Sequence, residues 1–176
     1  PVEQITKSEY EDDYPSVHVD QTGNMWVAWI GYRDKEDEVL VRRRHEGAWS
    51  EPMTVSDSPG DHFSTDMAMD ATGRLWVVWS QREDSDWHLM ARAYDGTKWG
   101  PIEQLTHGAG NNIFHRITSD SEGTLHVVWQ GSRGGRFDIL SKSLKGNRWT
   151  DEIALSDPDR PQRANDWMPA VAADRS

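Results

Sequence analysis

The chain has 176 residues, a formal net charge of −11 at pH 7 and no cysteine. The acidic balance argues against a nucleic-acid backbone as partner, which would need clustered Lys and Arg. The missing cysteines exclude disulfide staples and thiolate metal sites, and no apolar run approaches the roughly 20 residues of a membrane-spanning helix.

Pro1-Val2-Glu3-Gln4-Ile5-Thr6 returns almost unchanged as Pro101-Ile102-Glu103-Gln104-Leu105-Thr106 and reads as the closing strand of a preceding unit. Ser16 to Val19 reads as a first strand, and Asp20-Gln21-Thr22-Gly23 as a tight turn in which Asp bonds amides ahead of it and Gly accepts positive φ. The next strand, Met25 to Gly31, is apolar on both faces: Met25, Val27 and Trp29 point one way, Trp26 and Ala28 the other. Such a strand belongs between two packed layers. A third strand is expected over Val39 to Arg43, with counterparts at Leu89 to Ala93 and Ile139 to Ser143. The fourth, Pro52 to Ser56, carries proline or charge as an edge strand does.

Gly23-Asn24-Met25-Trp26-Val27-Ala28-Trp29 recurs 50 residues later from Gly73 to Trp79, and 50 later again from Gly123 to Trp129. Asp20, Asp70 and Asp120 share a column, as do Trp49, Trp99 and Trp149, and Asp174 opens a fourth unit four residues late. A constant period means repeated supersecondary units that bury their faces against one another. The expectation is an all-β protein: a β-propeller segment of four-stranded antiparallel blades, with three whole blades plus flanking strands. Residues 1–6 form the last strand of a preceding blade, 14–56, 64–106 and 114–156 the blades, and 168–176 the first strand of a further blade. A solenoid of β-arches is the competing architecture, and it usually needs shorter repeats and more internal glycine.

Propellers close with about 4–8 blades, so three and a half make no ring. Because the chain opens at Pro1 without an initiator Met, an N-terminal segment is expected to have been removed or never included. An excised or truncated piece of a longer propeller is favoured over a natural half-ring. Its open blade faces would exceed the roughly 300–600 Å² apolar patch that a monomer tolerates, and self-association through them is expected.

The run from Pro15 to Trp29, followed by Gly47-Ala48-Trp49-Ser50-Glu51-Pro52, resembles the repeats of sialidase-like (BNR-type) propellers. Gln104-Leu105-Thr106 through Gly131-Ser132-Arg133-Gly134-Gly135-Arg136-Phe137-Asp138-Ile139-Leu140 also resembles TolB-like repeats. The likeness is to a repeat pattern and implies fold more than activity. The sialidase box reads Ser-x-Asp-x-Gly-x-Thr-Trp, and here Asp-x-x-Gly leads into an apolar strand, a loose match that implies a structural turn for Asp20, Asp70 and Asp120. A sialidase site would need three arginines, a tyrosine–glutamate pair and an acid. Only Arg116 stands in a comparable context, and its equivalents are Ser16 and Asp66. No catalytic residue is therefore assigned.

The units differ most in two sets of loops, where binding on a repeated scaffold usually resides. One set comprises Tyr32 to Asp37, Gln81 to Trp87 and Ser132 to Phe137; the other Lys7 to Tyr14, Asp57 to Ser64, His107 to Phe114 and Asp157 to Trp167. Trp87 and Trp167 lie outside the tryptophan columns and, with Arg33, Asp61, His62, Asn111, Asn112, His115 and Arg133, are the candidate ligand-binding residues. No His-x-His or His-Glu-x-x-His spacing marks a metal site. The expected cofactor is none, with calcium on Glu83, Asp84 and Asp86 as the alternative to a solvated acidic loop. The functional expectation is a non-catalytic binding or interaction module for carbohydrate or protein, part of a larger exported bacterial protein. The alternatives are the propeller of a sialidase-like glycosidase or lyase, or of a hydrolase with its catalytic domain elsewhere, and a structural assembly propeller.

Overall fold

The computed structural model describes residues 2–159, 161 and 164–174. Pro1, in the expected 1–6 strand, and Arg175 and Ser176, in the expected 168–176 strand, lie outside the described residues. The chain is an all-β propeller segment of antiparallel sheets with no helix among the described residues.

The first sheet holds β1 (Asp12–Val19), β2 (Met25–Arg33), β3 (Glu36–His45), β4 (Ala48–Trp49) and β5 (Met53–Thr54). In the second are β6 (His62–Met69), β7 (Leu75–Glu83), β8 (Asp86–Tyr94) and β9 (Trp99–Gln104). The third contains β10 (Asn112–Ser119), β11 (Leu125–Arg133), β12 (Arg136–Lys145), β13 (Arg148–Trp149) and β14 (Ile153–Ala154). Each sheet is one blade, its fourth strand split into two short pieces in the first and third. The first strands pack side by side, β6 between β1 and β10, and define the inner edge.

The strands run further than the apolar pattern suggests. β2 and β3 pair as far as Arg33 and Glu36, so the expected loop from Tyr32 to Asp37 is a two-residue turn at Asp34 and Lys35, both at positive φ. Gly134 and Gly135 make the same turn in the third blade. Polar residues at a strand end pair through their backbones regardless of side chain, which hydrophobic periodicity does not register.

Each second strand is buried on both faces. Trp26, Ala28 and Ile30 pack with Val77 and Trp79 between the first two blades. Trp76 and Val78 pack with Leu125, Val127 and Trp129 between the second and third. Truncating Trp79 or Trp129, both fully buried, to alanine would cost roughly 3–5 kcal/mol. A polar ladder accompanies this packing. Arg42 donates to the Ile5 carbonyl, Arg92 to that of Val55 at 2.6 Å and Lys142 to that of Leu105 at 2.6 Å.

The outer faces of the arc show what this packing normally hides. Met67 is 3% and Ile117 7% exposed, whereas Val17 in the same column is 62% exposed. At the other end Val55 is 0% and Leu105 2% exposed, but Leu155 is 56% exposed.

The repeated aspartates build the turns on one end of the blades. Asp70 accepts from the Thr72 amide (2.9 Å) and hydroxyl (2.7 Å), from the Arg74 amide and Nε, and from Trp76 Nε1 at 2.9 Å. Asp20 accepts the equivalent bonds from Thr22, Asn24 and Trp26. Burial opposes ionisation of Asp20 and Asp70, but these bonds outweigh it and hold both carboxyls below the usual range.

Candidate functional site

On the opposite end, each first strand carries a bulge at the same column. Pairing slips between Asp13 and Ser16, between Phe63 and Thr65, and between Ile113 and Arg116. Tyr14, Ser64 and Phe114 sit there at φ of 50°, 56° and 54°, and Met168 repeats the conformation at 51°. Left-handed backbone at a non-glycine residue costs about 1–2 kcal/mol, and a bulge re-aims the side chain it carries.

The result is a row of rings along the inner edge. The Phe63 ring lies 4.5 Å from that of Tyr14 and 5.3 Å from that of Phe114, both edge-to-face, and 6.1 Å from that of Trp87. Beside them opens a hollow of about 310 Å³ lined by Tyr14, Ser16, Ser64, Thr65, Asp66 and Arg116. Its polar groups are ordered across blades. The Thr65 hydroxyl donates to the Tyr14 carbonyl at 3.0 Å, so the Ser16 hydroxyl, 3.1 Å away, donates to Thr65. Asp66 accepts from the Ile117 amide at 3.0 Å and from its own neighbour Met67 at 2.9 Å. Burial pushes the Asp66 carboxyl up, against those bonds and the attraction of Arg116. Arg116 itself is exposed. The arrangement offers apolar ring faces beside one carboxyl, one guanidinium and the hydroxyls of Ser16, Ser64 and Thr65, a combination suited to a polyol. A second hollow of about 320 Å³ lies at the other end, but its carboxylates Asp20 and Asp120 are tied into turns.

The residues expected to bind ligand are placed differently from one another. Trp167 is 56% exposed, its ring 4.8 Å from that of Phe137, and Trp87 borders the row described above. Asp61 is exposed and pairs with Arg82 at 3.1 Å. Arg33 pairs with Asp12 at 2.9 Å and Arg133 with Glu152 at 2.7 Å. Asn112 and His115 are fully buried and His62 nearly so. His115 donates from Nε2 to the Val78 carbonyl at 3.0 Å; burial lowers its pKa to about 4, the Val78 bond opposing and Arg116 adding to the effect. Asn111 is half-buried, and its carbonyl accepts from Ser132 at 2.8 Å. Among the described residues no three His, Asp or Glu side chains converge, the calcium candidates Glu83, Asp84 and Asp86 included.

Phe63, Phe114, Thr65 and Asp66 were not singled out from sequence. The signal existed: Tyr14, Phe63 and Phe114 place one aromatic near the start of each first strand, and Trp167 recurs at the corresponding place after the third blade.

No family model and no curated protein sequence matches the chain. Solved structures do. An α-L-arabinanase of Penicillium chrysogenum is similar at 14% identity and TM-score 0.59, over 86% of this chain and 52% of that one. An α-L-arabinofuranosidase of Fusarium graminearum is similar at 12% and 0.65, over 83% and 50%. An endo-arabinase of Bacteroides thetaiotaomicron is similar at 13% and 0.58, over 88% and 66%. The chain thus spans about half the length of the first two. At these identities the likeness is one of fold, and the class it defines is the β-propeller.

Proposed function

We propose that the chain is a non-catalytic carbohydrate-binding segment of a larger exported bacterial propeller, built of sialidase-like (BNR-type) or TolB-like repeats. The observation that carries this reading is the Tyr14–Phe63–Phe114 row beside the hollow holding Thr65, Asp66 and Arg116. Sugar rings stack their C–H faces on aromatics and satisfy their hydroxyls with such groups. Neighbouring propellers that act on arabinose polymers are consistent with a glycan ligand. The blades take in 14–56, 64–106 and 114–156, with 1–6 and 168–176 belonging to flanking blades. Exposed Val17 and Leu155 support further blades, or a second copy, covering the ends. The test is a panel of soluble oligosaccharides, arabinan fragments included, followed by calorimetry. Binding that is lost in Tyr14→Ala supports the reading, and no binding at millimolar ligand sinks it.

A second reading, the propeller of a glycosidase, is favoured by Asp66, whose raised pKa suits a proton donor. Hydrolysis conventionally needs two carboxyls, and among the described residues Asp66 is the one acid lining the hollow. The second would come from blades beyond this chain. Turnover by a longer chain, absent in this one, would favour it.

A further inference from the structure

In the first and third blades the end of the sheet that carries the Asp34–Lys35 or Gly134–Gly135 turn is closed by the same clasp. Oδ1 of Asp12 accepts from Trp29 Nε1 at 3.0 Å and from Arg33 at 2.9 Å. Oδ1 of Asn112 accepts from Trp129 Nε1 at 3.0 Å and from Arg133 at 3.1 Å. Opposite them stand Gly31 and Gly131, where an added Cβ would come within 2.9 Å of the Arg33 guanidinium and 3.2 Å of that of Arg133. The next strand presents Glu38 and Asp138.

The second blade keeps the tryptophan, as Trp79, and replaces every other member. His62 stands for the acceptor, Gln81 for the glycine, His88 for the acid and Glu83 for the arginine. His62 pairs with Gln81, and Gln81 with His88, directly across the ladder. Direct cross-strand partners share a face, so the two imidazoles flank the amide on one side of the sheet. Both are more than nine-tenths buried, at 4% and 8% exposed. His62 Nε2 and His88 Nδ1 have no hydrogen-bond partner in the protein. His62 Nδ1 lies 3.0 Å from the Asp37 carbonyl, which can only accept, so Nδ1 carries the proton and Nε2 presents its lone pair. Gln81 Oε1 accepts from Trp79 Nε1 at 3.2 Å and keeps a second lone pair. A backbone carbonyl that fixes the tautomer of a buried histidine is the support that metal-ligating imidazoles usually have.

We propose that His62 Nε2 and His88 Nδ1, with Gln81 Oε1 between them, bind a late first-row divalent cation where the other two blades hold an arginine guanidinium. Imidazole nitrogen with a neutral oxygen suits Zn²⁺, Ni²⁺ or Cu²⁺ better than calcium. Two imidazoles and an amide leave the other positions to water, so the affinity is moderate. The ion pins the second blade to the first, because Asp37, which holds His62, belongs to the first.

The test is titration of Zn²⁺ into chelator-treated protein, read by calorimetry and thermal melting, with Co²⁺ visible absorption as an independent readout. Saturable one-to-one binding with a raised melting temperature is expected. His62→Ala and His88→Ala should each weaken it by about tenfold or more, while His107→Ala leaves it unchanged. Far-UV circular dichroism shows whether each variant folds, and the Co²⁺ spectrum of the unaltered chain stands without any variant. Absence of saturable binding at millimolar Zn²⁺, with a buried water then satisfying the imidazoles, overturns the proposal. So does undiminished binding in a folded His62→Ala, His88→Ala double variant.

Discussion

Trp129 donates its indole N–H to Oδ1 of Asn112 at 3.0 Å, and the amide of the same Asn112 donates to the carbonyls of Trp87 at 2.9 Å and Gly110 at 3.2 Å. One buried side chain thus ties the connection into the third blade to the core tryptophan and to the second blade. Only asparagine supplies acceptor and donor together here. Asn112→Asp should cost about 2–3 kcal/mol, because its second oxygen would face two carbonyls. Asp12→Asn keeps an oxygen to accept from Trp29 and Arg33, as Asn112 does in the third blade, and should cost less, about 1 kcal/mol. Urea midpoints of the two variants measure the difference.

Tyr14→Ala and Asp66→Asn test the candidate glycan site. Tyr14 is largely exposed and contributes one face of the ring row. Its removal should weaken oligosaccharide binding by about tenfold, the worth of roughly 1.4 kcal/mol of contact, with little change in melting temperature. Asn at 66 keeps an acceptor for the Ile117 amide and should preserve the fold while altering affinity. Equal loss of stability and affinity in both variants would assign the row to packing.

His115 should make stability fall on mild acidification. Its folded pKa is depressed from 6.5 to about 4, so the unfolded chain binds the proton first. The stabilisation from keeping it neutral is present above pH 6.5 and is lost as pH falls towards 4. The linkage is on the order of 3 kcal/mol. Asp20 and Asp70, whose carboxyls are held low, lose their contribution only below the ordinary carboxylate value. Urea midpoints at pH 7 and 4.5 should differ in the native chain and converge in His115→Gln.

Asp70→Ala should be the most damaging of the turn substitutions. It strands the buried Trp76 Nε1 and releases Arg74 as well as the turn amides, at about 3 kcal/mol. Asp120→Ala, in a more exposed turn whose third partner is His126, should cost clearly less, because water can replace the lost carboxylate bonds. Chemical denaturation of the two variants, side by side, checks the order.

Gly123→Ala and Gly73→Ala are identical changes at identical places in the repeat, with φ of 75° and 80°. A Cβ at Gly123 would lie 2.4 Å from the Ala71 backbone, whereas none at Gly73 meets anything within 4 Å. Gly73→Ala should therefore cost about 1 kcal/mol of φ strain, and Gly123→Ala clearly more, because it forces the second and third blades apart at their turns. Equal melting temperatures would contradict this.

The architecture is legible in residue type and spacing. Fifty-residue recurrence, Asp-x-x-Gly turns and a second strand apolar on both faces depend on local backbone preference and on burial. Both are written into residue type and spacing. Trp76 and Trp79 packing against opposite neighbours follows from strand alternation alone. What surrounds a side chain was decided only by the tertiary structure. Asn112 and His115 read as candidate ligand-binding residues yet are buried, because their partners Trp129 and Val78 arrive from other strands. Tyr14, Phe63 and Phe114 stand in two different columns, and only the bulges at positive φ turn their rings into one row. Contacts between segments 50 residues apart depend on how twisted sheets stack, and the local pattern of one chain does not specify that.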